Sequence, residues 1–243
     1  MIEIKHKTTG EVLCRVEADT LKNTTIPGSN LDGADFRGQN LNDSKFSTGR
    51  LNETDFTGAS CMNLILCESH LQGANFTGAN LVGMRGNGAN LQEAVFTEAQ
   101  MDFAWLRHAA LSRADLRHAD LTAAYFDFTF ISNSDLRGAD LTQAFFHETW
   151  MKGANLAGAT LCSTVFANCK SLHKAEGLSE IVHLGQSSLD HKTLRACAAH
   201  LPDVFLLGVG YTEHELELLR VIYPLVEIVR RARTVEVADQ IEG

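Results

Sequence analysis

The sequence predicts a mainly β fold: a quadrilateral parallel β-helix, or solenoid, with an N-terminal β-hairpin cap and a C-terminal α-helical segment. Three observations predict it. Every fifth residue from Leu21 to Phe166 is apolar at 29 of 30 positions. A small residue, usually Ala, stands two places before most of these centres, from Ala34 to Ala159. The register never slips across the whole stretch. A period of five suits neither a helix nor a plain strand. It suits a chain that turns a corner every five residues. The centre and the small residue two places earlier then both point inward, as alternate residues of an extended segment do. Four sides close a coil of twenty residues, and the next coil stacks on it through parallel-strand hydrogen bonds.

The elements follow in chain order. Residues 1–18 form the cap: Ile2 and Ile4, a Thr-Gly turn, then Val12, Leu13, Cys14 and Val16. A stack of strands needs its edges blunted, or it pairs with another copy. Residues 19–168 form the coils, with Gly, Asn and Asp at corners that demand turn geometry. Centres twenty apart stack, so Phe36, Phe56, Phe76 and Phe96 predict an internal aromatic ladder, continued by Leu116, Leu136 and Leu156. The single defect is Gly86 at a centre. Met84, in a slot that usually holds Ala, either fills the space Gly86 vacates or marks a bulge. Beyond Phe166 the period of five ends, and residues 169–243 read as a helical segment packing on the solenoid. Capping-box spacing at Ser187–Asp190 and at Thr212–Glu215 predicts helices near 188–199 and 212–232. Leu216, Leu219, Ile222, Leu225, Val226 and Val229 make the apolar side of the second, and Pro224 breaks or kinks it.

The units, such as Ala74-Asn75-Phe76-Thr77-Gly78, resemble the pentapeptide-repeat family, whose consensus is roughly A(D/N)LxG. That resemblance covers residues 19–168 and implies a right-handed quadrilateral β-helix. It also implies partners, since some members are dimeric rods resembling B-DNA that bind type II topoisomerases. In the tail, Ser187-Ser188-Leu189-Asp190, Thr193-Leu194 and the run from Leu201 to Gly210 resemble the linker that precedes TIR domains in some bacterial proteins. That linker resemblance implies a regulatory role in a defence system.

Register places each exposed residue on one of four faces, through the outward slot just before each centre. On face 1 (centres Leu21 to Leu161) and face 4 (Phe36 to Leu156) these slots are mostly polar. Face 2 (Ile26 to Phe166) carries Trp105, Tyr125 and Phe145, and the adjacent face 3 (Leu31 to Met151) carries Phe130 and Trp150. Such an apolar patch calls for a cover. The helical tail folding back over it is the first expectation, self-association the second, and a foreign partner the third.

Charge excludes some classes. The formal net charge of −9 argues against a generic nucleic-acid or membrane surface. No run of 18 apolar residues would span a bilayer. A duplex as long as the coils, about 36 Å, would carry about 21 phosphates. Residues 19–168 hold 16 acids and 10 bases, and the acidic side is face 1, with Asp43, Asp102, Asp120 and Asp140. Six cysteines without a CxxC pair predict buried thiols in a cytoplasmic protein. No catalytic group, cofactor or metal site is predicted. The stacked Asp120 and Asp140 are read as corner residues bonded to backbone. The expected function is a non-enzymatic scaffold for an unknown protein partner, with homodimerisation an option and no direct contact with nucleic acid or membrane. Inhibition or protection of a topoisomerase by DNA mimicry is the alternative.

Overall fold

A computed structural model of the protein describes residues 1–26 and 30–223. The five-residue rhythm becomes a ladder of parallel bridges, each joining residues twenty apart: Thr25 to Lys45, Lys45 to Ile65, Ile65 to Arg85, and on through Trp105, Tyr125 and Phe145 on face 2. Faces 1, 3 and 4 carry equivalent ladders. Within each unit the slot residue's N–H bonds one coil back and the centre's N–H bonds one coil forward, as in Tyr125 N to Ala104 O and Phe126 N to Phe145 O. Among the described residues the last residue of each unit is left-handed, even where it is Phe103, His108 or Phe128. A bulky residue there is uncommon. It is held because its N–H is needed by the next coil, Phe128 N reaching His147 O at 2.8 Å.

The interior is filled as the pattern requires. Phe36, Phe56, Phe76 and Phe96 stack with ring centroids 5.2, 4.5 and 5.0 Å apart, and Leu116, Leu136 and Leu156 continue the column fully buried. A second ladder, Phe126, Phe146 and Phe166, runs inside face 2 at 4.7 and 5.2 Å. At several places where Ser or Thr replaces Ala in the small inward slot, the buried hydroxyl is satisfied by a carbonyl of the coil before: Ser69 to Phe46, Thr129 to Leu106, Thr149 to Phe126. This avoids the cost of an unpaired buried donor. At Gly86 the volume swap holds. Met84 is fully buried, and a Cβ on Gly86 would stand 3.1 Å from its Cε. The bridges on either side, Ile65 to Arg85 to Trp105, run through without a bulge.

At the N-terminus β1 (Ile2–Lys5) and β2 (Val12–Val16) pair antiparallel. Past β1, His6 pairs antiparallel with Ala34, and Asp35 N donates to Lys5 O, so the hairpin covers the edge of the first coil.

The winding does not end near Phe166. β3 (Phe145–His147) pairs with β5 (Val165–Ala167), and β4 (Thr160–Leu161) lies on the neighbouring side. One more coil follows with longer sides. Trp150 pairs with Lys170, Asn155 with Glu176, Thr160 of β4 with Val182 of β6 (Val182–His183), and Val165 of β5 with Ser188 of β7 (Ser188–Leu189). The separations grow as 20, 21, 22 and 23, so the period has changed from five to six. The inward slots follow at that spacing: Cys169, Ala175, Ile181 and Ser187 are buried or packed against the core. Short 3-10 turns at Leu172–Lys174 and Leu178–Glu180 supply the extra residues and two buried leucines. Gly177 lets the chain pass close over the coil below; a Cβ there would lie 2.4 Å from Ala157 N.

Two helices close the end, α1 (His191–Cys197) and α2 (Asp203–Gly208), and residues 213–223 are helical as well. Phe205 of α2 sets its ring edge-on to Phe166, 6.2 Å between centroids, and finishes the second ladder. The tail therefore plugs the open end of the stack. Its details correct the sequence reading in three places. Ser187–Asp190 is not a capping box: Ser188–Leu189 is a strand, Ser187 accepts from Thr164 N, and Asp190 itself caps α1 by accepting from Thr193 N. The helix α2 was not expected. Ile222 is half exposed, whereas Leu216 and Leu219 pack inward. The Thr212–Glu215 capping box is present, with Thr212 N donating to Glu215 Oε2 and Glu215 N to Thr212 Oγ1. Leu225, Val226, Val229 and the break at Pro224 lie outside the described residues.

Candidate interaction surface

All five aromatic residues singled out on faces 2 and 3 stand on the outside. Trp105 is 50 % exposed, Trp150 47 %, Phe130 45 % and Tyr125 38 %, while Phe145 is half-buried by its neighbours. The described tail, as far as Tyr223, lies over the end of the solenoid and leaves them exposed; the rest of the segment expected to cover them, residues 224–243, lies outside the described residues. The physical reason is the extra coil: the chain leaves face 2 at Phe166 by continuing to wind, so the helices arrive on the stack's end.

The coil spacing sets the geometry. Trp105 and Tyr125 stack at 5.0 Å, Tyr125 and Phe145 meet at 6.3 Å, and Phe130 and Trp150 stack at 6.1 Å. Between the two faces runs a corner that sequence reasoning missed. His108 stacks on Phe128 at 5.1 Å, Phe128 meets His147 edge-on at 5.3 Å, and His147 reaches Phe145 at 6.1 Å. The Arg107 guanidinium lies 5.9 Å from the Phe128 ring, within cation–π range. Phe103, 55 % exposed, adds an aromatic at the other corner of face 2. The signal was present in the closing slot of each unit, often Gly, which here holds Phe103, His108 and Phe128. Aromatic side chains thus run in contact from Trp105 across face 2 to the corner at His108, and the Phe130–Trp150 pair stands beyond it on face 3. Backbone ladders on every side hold this belt rigid.

The acidic residues behave differently. Asp102, Asp120 and Asp140 come together on face 1: burial first, then the charges of Asp120 and Asp140, push the Asp102 carboxyl up. Asp120 and Asp140 accept from the N–H of Thr122 and Thr142, so they brace corners. Asp43 stands coils away and takes a bond from Asn63. On face 4 the carboxylates are answered locally. Asp35, Asp115 and Asp135 each hold the arginine two residues on, and that hydrogen bond draws each carboxyl below its ordinary range. Among the described residues no group of His, Cys, Asp and Glu could hold a metal ion. The Cys61 thiol is pushed up to about 12 by burial, a poor nucleophile.

Eight copies of the family described as pentapeptide repeats match within residues 21–58, 50–83, 69–112 and 102–138. The chain belongs to the pentapeptide-repeat family. Pentapeptide-repeat structures resemble it too. A trypsin-treated variant of QnrB1, a plasmid-mediated fluoroquinolone resistance protein, aligns with a TM-score of 0.63 at 15 % identity, covering 81 % of this chain and 93 % of that one. HetL, a pentapeptide repeat protein involved in heterocyst differentiation regulation from the cyanobacterium Nostoc, is 26 % identical over 68 % of this chain and 83 % of that one, with a TM-score of 0.48. This kinship implies that the four-sided coil is the family's right-handed quadrilateral β-helix. No curated protein sequence matches the chain. The pentapeptide-repeat match covers the coils from residue 21 to 138 and leaves the linker resemblance of the tail without a counterpart. Among the described residues no helix is long and apolar enough to cross a membrane.

Proposed function

We propose that this pentapeptide-repeat protein is a non-enzymatic scaffold that binds a protein partner through the aromatic belt of faces 2 and 3. The observation that carries the reading is the exposure of Trp105, Phe130 and Trp150 on a rigid backbone. Large aromatics are the side chains that dominate binding energy at protein interfaces. They sit next to one another, in one half of the solenoid, while the equivalent slots of faces 1 and 4 are mostly polar or charged. Catalysis lacks support from the residues: the stacked carboxylates brace corners, and the buried thiols are held protonated. The six free cysteines favour a reducing, cytoplasmic setting.

The DNA-mimic reading rests on fewer groups. Face 4 neutralises much of its own charge with arginine, which leaves the cluster of Asp102, Asp120 and Asp140, far short of a duplex's phosphate rows. A role beside a defence effector rests on the tail's linker resemblance alone.

Tagged wild-type protein and a Trp105→Ala/Trp150→Ala variant, compared by quantitative pull-down from the cells that make them, test the site. A protein enriched by the wild type and lost with the variant, at unchanged melting temperature, is the expected result. Identical prey for both would overturn the assignment. A DNA gyrase supercoiling assay, with and without inhibitor, tests the alternative; no effect removes it.

A further inference from the structure

The belt has a shape as well as a composition. It is convex. Its aromatics lie on two faces that meet at a corner of a four-sided coil, and the corner itself is occupied by Arg107, His108, Phe128 and His147. A flat partner surface can cover one face or the other, never both with the edge between them. A second copy of the chain presents the same convex edge, so two copies meeting there would touch along a line. Burying all of the belt takes a groove that straddles the edge.

Size and charge narrow the partner further. From the coil of Trp105 to that of Lys170 the belt runs about three strand spacings, ~14 Å, and two faces of three extended residues each span ~20 Å. That is about 300 Å², well under half of what one partner buries in a stable interface. The rim must therefore contribute. The carboxylates around the belt are already engaged: Asp127 faces His147 at 3.2 Å, and Glu148 faces Lys170 at 3.3 Å. Arg85, which pairs with Trp105 along face 2, Arg107 at the corner and Lys152 beside Trp150 join no ion pair among the described residues. A net-acidic protein thus presents an aromatic edge with a cationic rim. Desolvated carboxylates on the partner would both attract and orient it.

Resting on the scaffold reading above, we infer that the edge between faces 2 and 3 is a ridge that inserts into a groove of a different protein, a groove with an apolar floor and Asp or Glu along its lips. The occupant is neither a second copy nor a flat surface.

Full-length protein carrying a photo-crosslinking phenylalanine at position 105, 128 or 150 tests this in the cells that make it, with crosslinked peptides mapped by mass spectrometry. The expected result is one partner captured from all three positions, through peptides that line a single cleft flanked by acidic residues. Arg85→Glu/Arg107→Glu should then weaken binding of that purified partner tenfold or more in low salt, with the difference shrinking in high salt. Capture from one face only, crosslinks to a second copy, crosslinks to residues 224–243 of the same chain, or a cleft rimmed by Lys and Arg would each overturn the ridge while leaving an interaction role standing. No specific crosslink at any of the three positions would bring down the scaffold reading as well.

Discussion

The coils from residue 19 to 168 and the coil that follows them do the same job by different counts. In the first region each side takes five residues and pairs twenty apart; in the second each takes six, and the pairing distance climbs to 23. Both stack parallel strands, and both turn one residue inward ahead of each corner, a small one at most sides. The short side leaves no slack, so its corner is a single left-handed residue and its interior a strict alternation of large and small. The long side has one residue to spare. It spends that residue on 3-10 turns, whose leucines replace the missing centres, and it brings the chain out where helices can land on the stack's end. Strictness builds length, and a looser coil ends it. A rod made only of five-residue sides would present an open strand edge to any other copy.

The largest effect belongs to the ending. A chain stopped at Asn168 exposes the edge of β5 and the ring of Phe166, and should aggregate on expression; a monodisperse species in light scattering would show that the final coil is dispensable. Next comes the strict interior. Phe76→Ala removes a ring stacked on both sides and should cost about 3–5 kcal/mol in denaturant unfolding. Phe205→Ala, at the plug, should lose a similar ring yet release mainly the cap, seen as faster amide exchange beyond residue 169 with the earlier coils still protected. The exception within the strict region tests the volume argument. Met84→Ala alone should cost about 2–5 kcal/mol by leaving a cavity beside Gly86. Met84→Ala with Gly86→Leu should recover most of that, a coupling of about 1–3 kcal/mol. The smallest effect is at the junction with α1. Asp190 accepts from the N–H of both Thr193 and Asn168. Burial alone would push its carboxyl up, but these bonds outweigh it and draw it down. Its stabilisation is therefore fully present above the unfolded value of ~3.9 and lost as pH falls through the lower folded value. Asp190→Ala should cost about 1 kcal/mol at neutral pH and flatten this part of the acid limb of the stability profile. An unaltered limb would place the acid sensitivity elsewhere.

The five-residue coils could be read from the residues one by one because their period is carried by chemistry that repeats: Leu or Phe at most centres, Ala two before most of them, Gly or Asn at many corners. The six-residue coil carries no such signal. Its inward slots are Cys169, Ala175, Ile181 and Ser187, four different side chains, and its centres are partly replaced by leucines from the turns. Spacing without chemical repetition does not stand out from a helical reading, which is why Ser187–Asp190 looked like the start of a helix and proved to be strand and cap. The candidate surface divides the same way. Trp105, Tyr125, Phe145, Phe130 and Trp150 could be placed from register alone, since the outward slot is known once the centres are. His108 and Phe128 occupy a closing slot that glycine often fills, and only the folded chain shows their rings joining those of face 2 at the corner.

From its sequence alone this protein determined its coil, its register and which residues face outward, because side-chain alternation along a strand is a local property that repeats without reference to anything distant. The tertiary structure decided how the stack ends and which aromatics stay uncovered. Both depend on where one lengthened coil delivers the chain, and that is a sum over its corners that no single residue reveals.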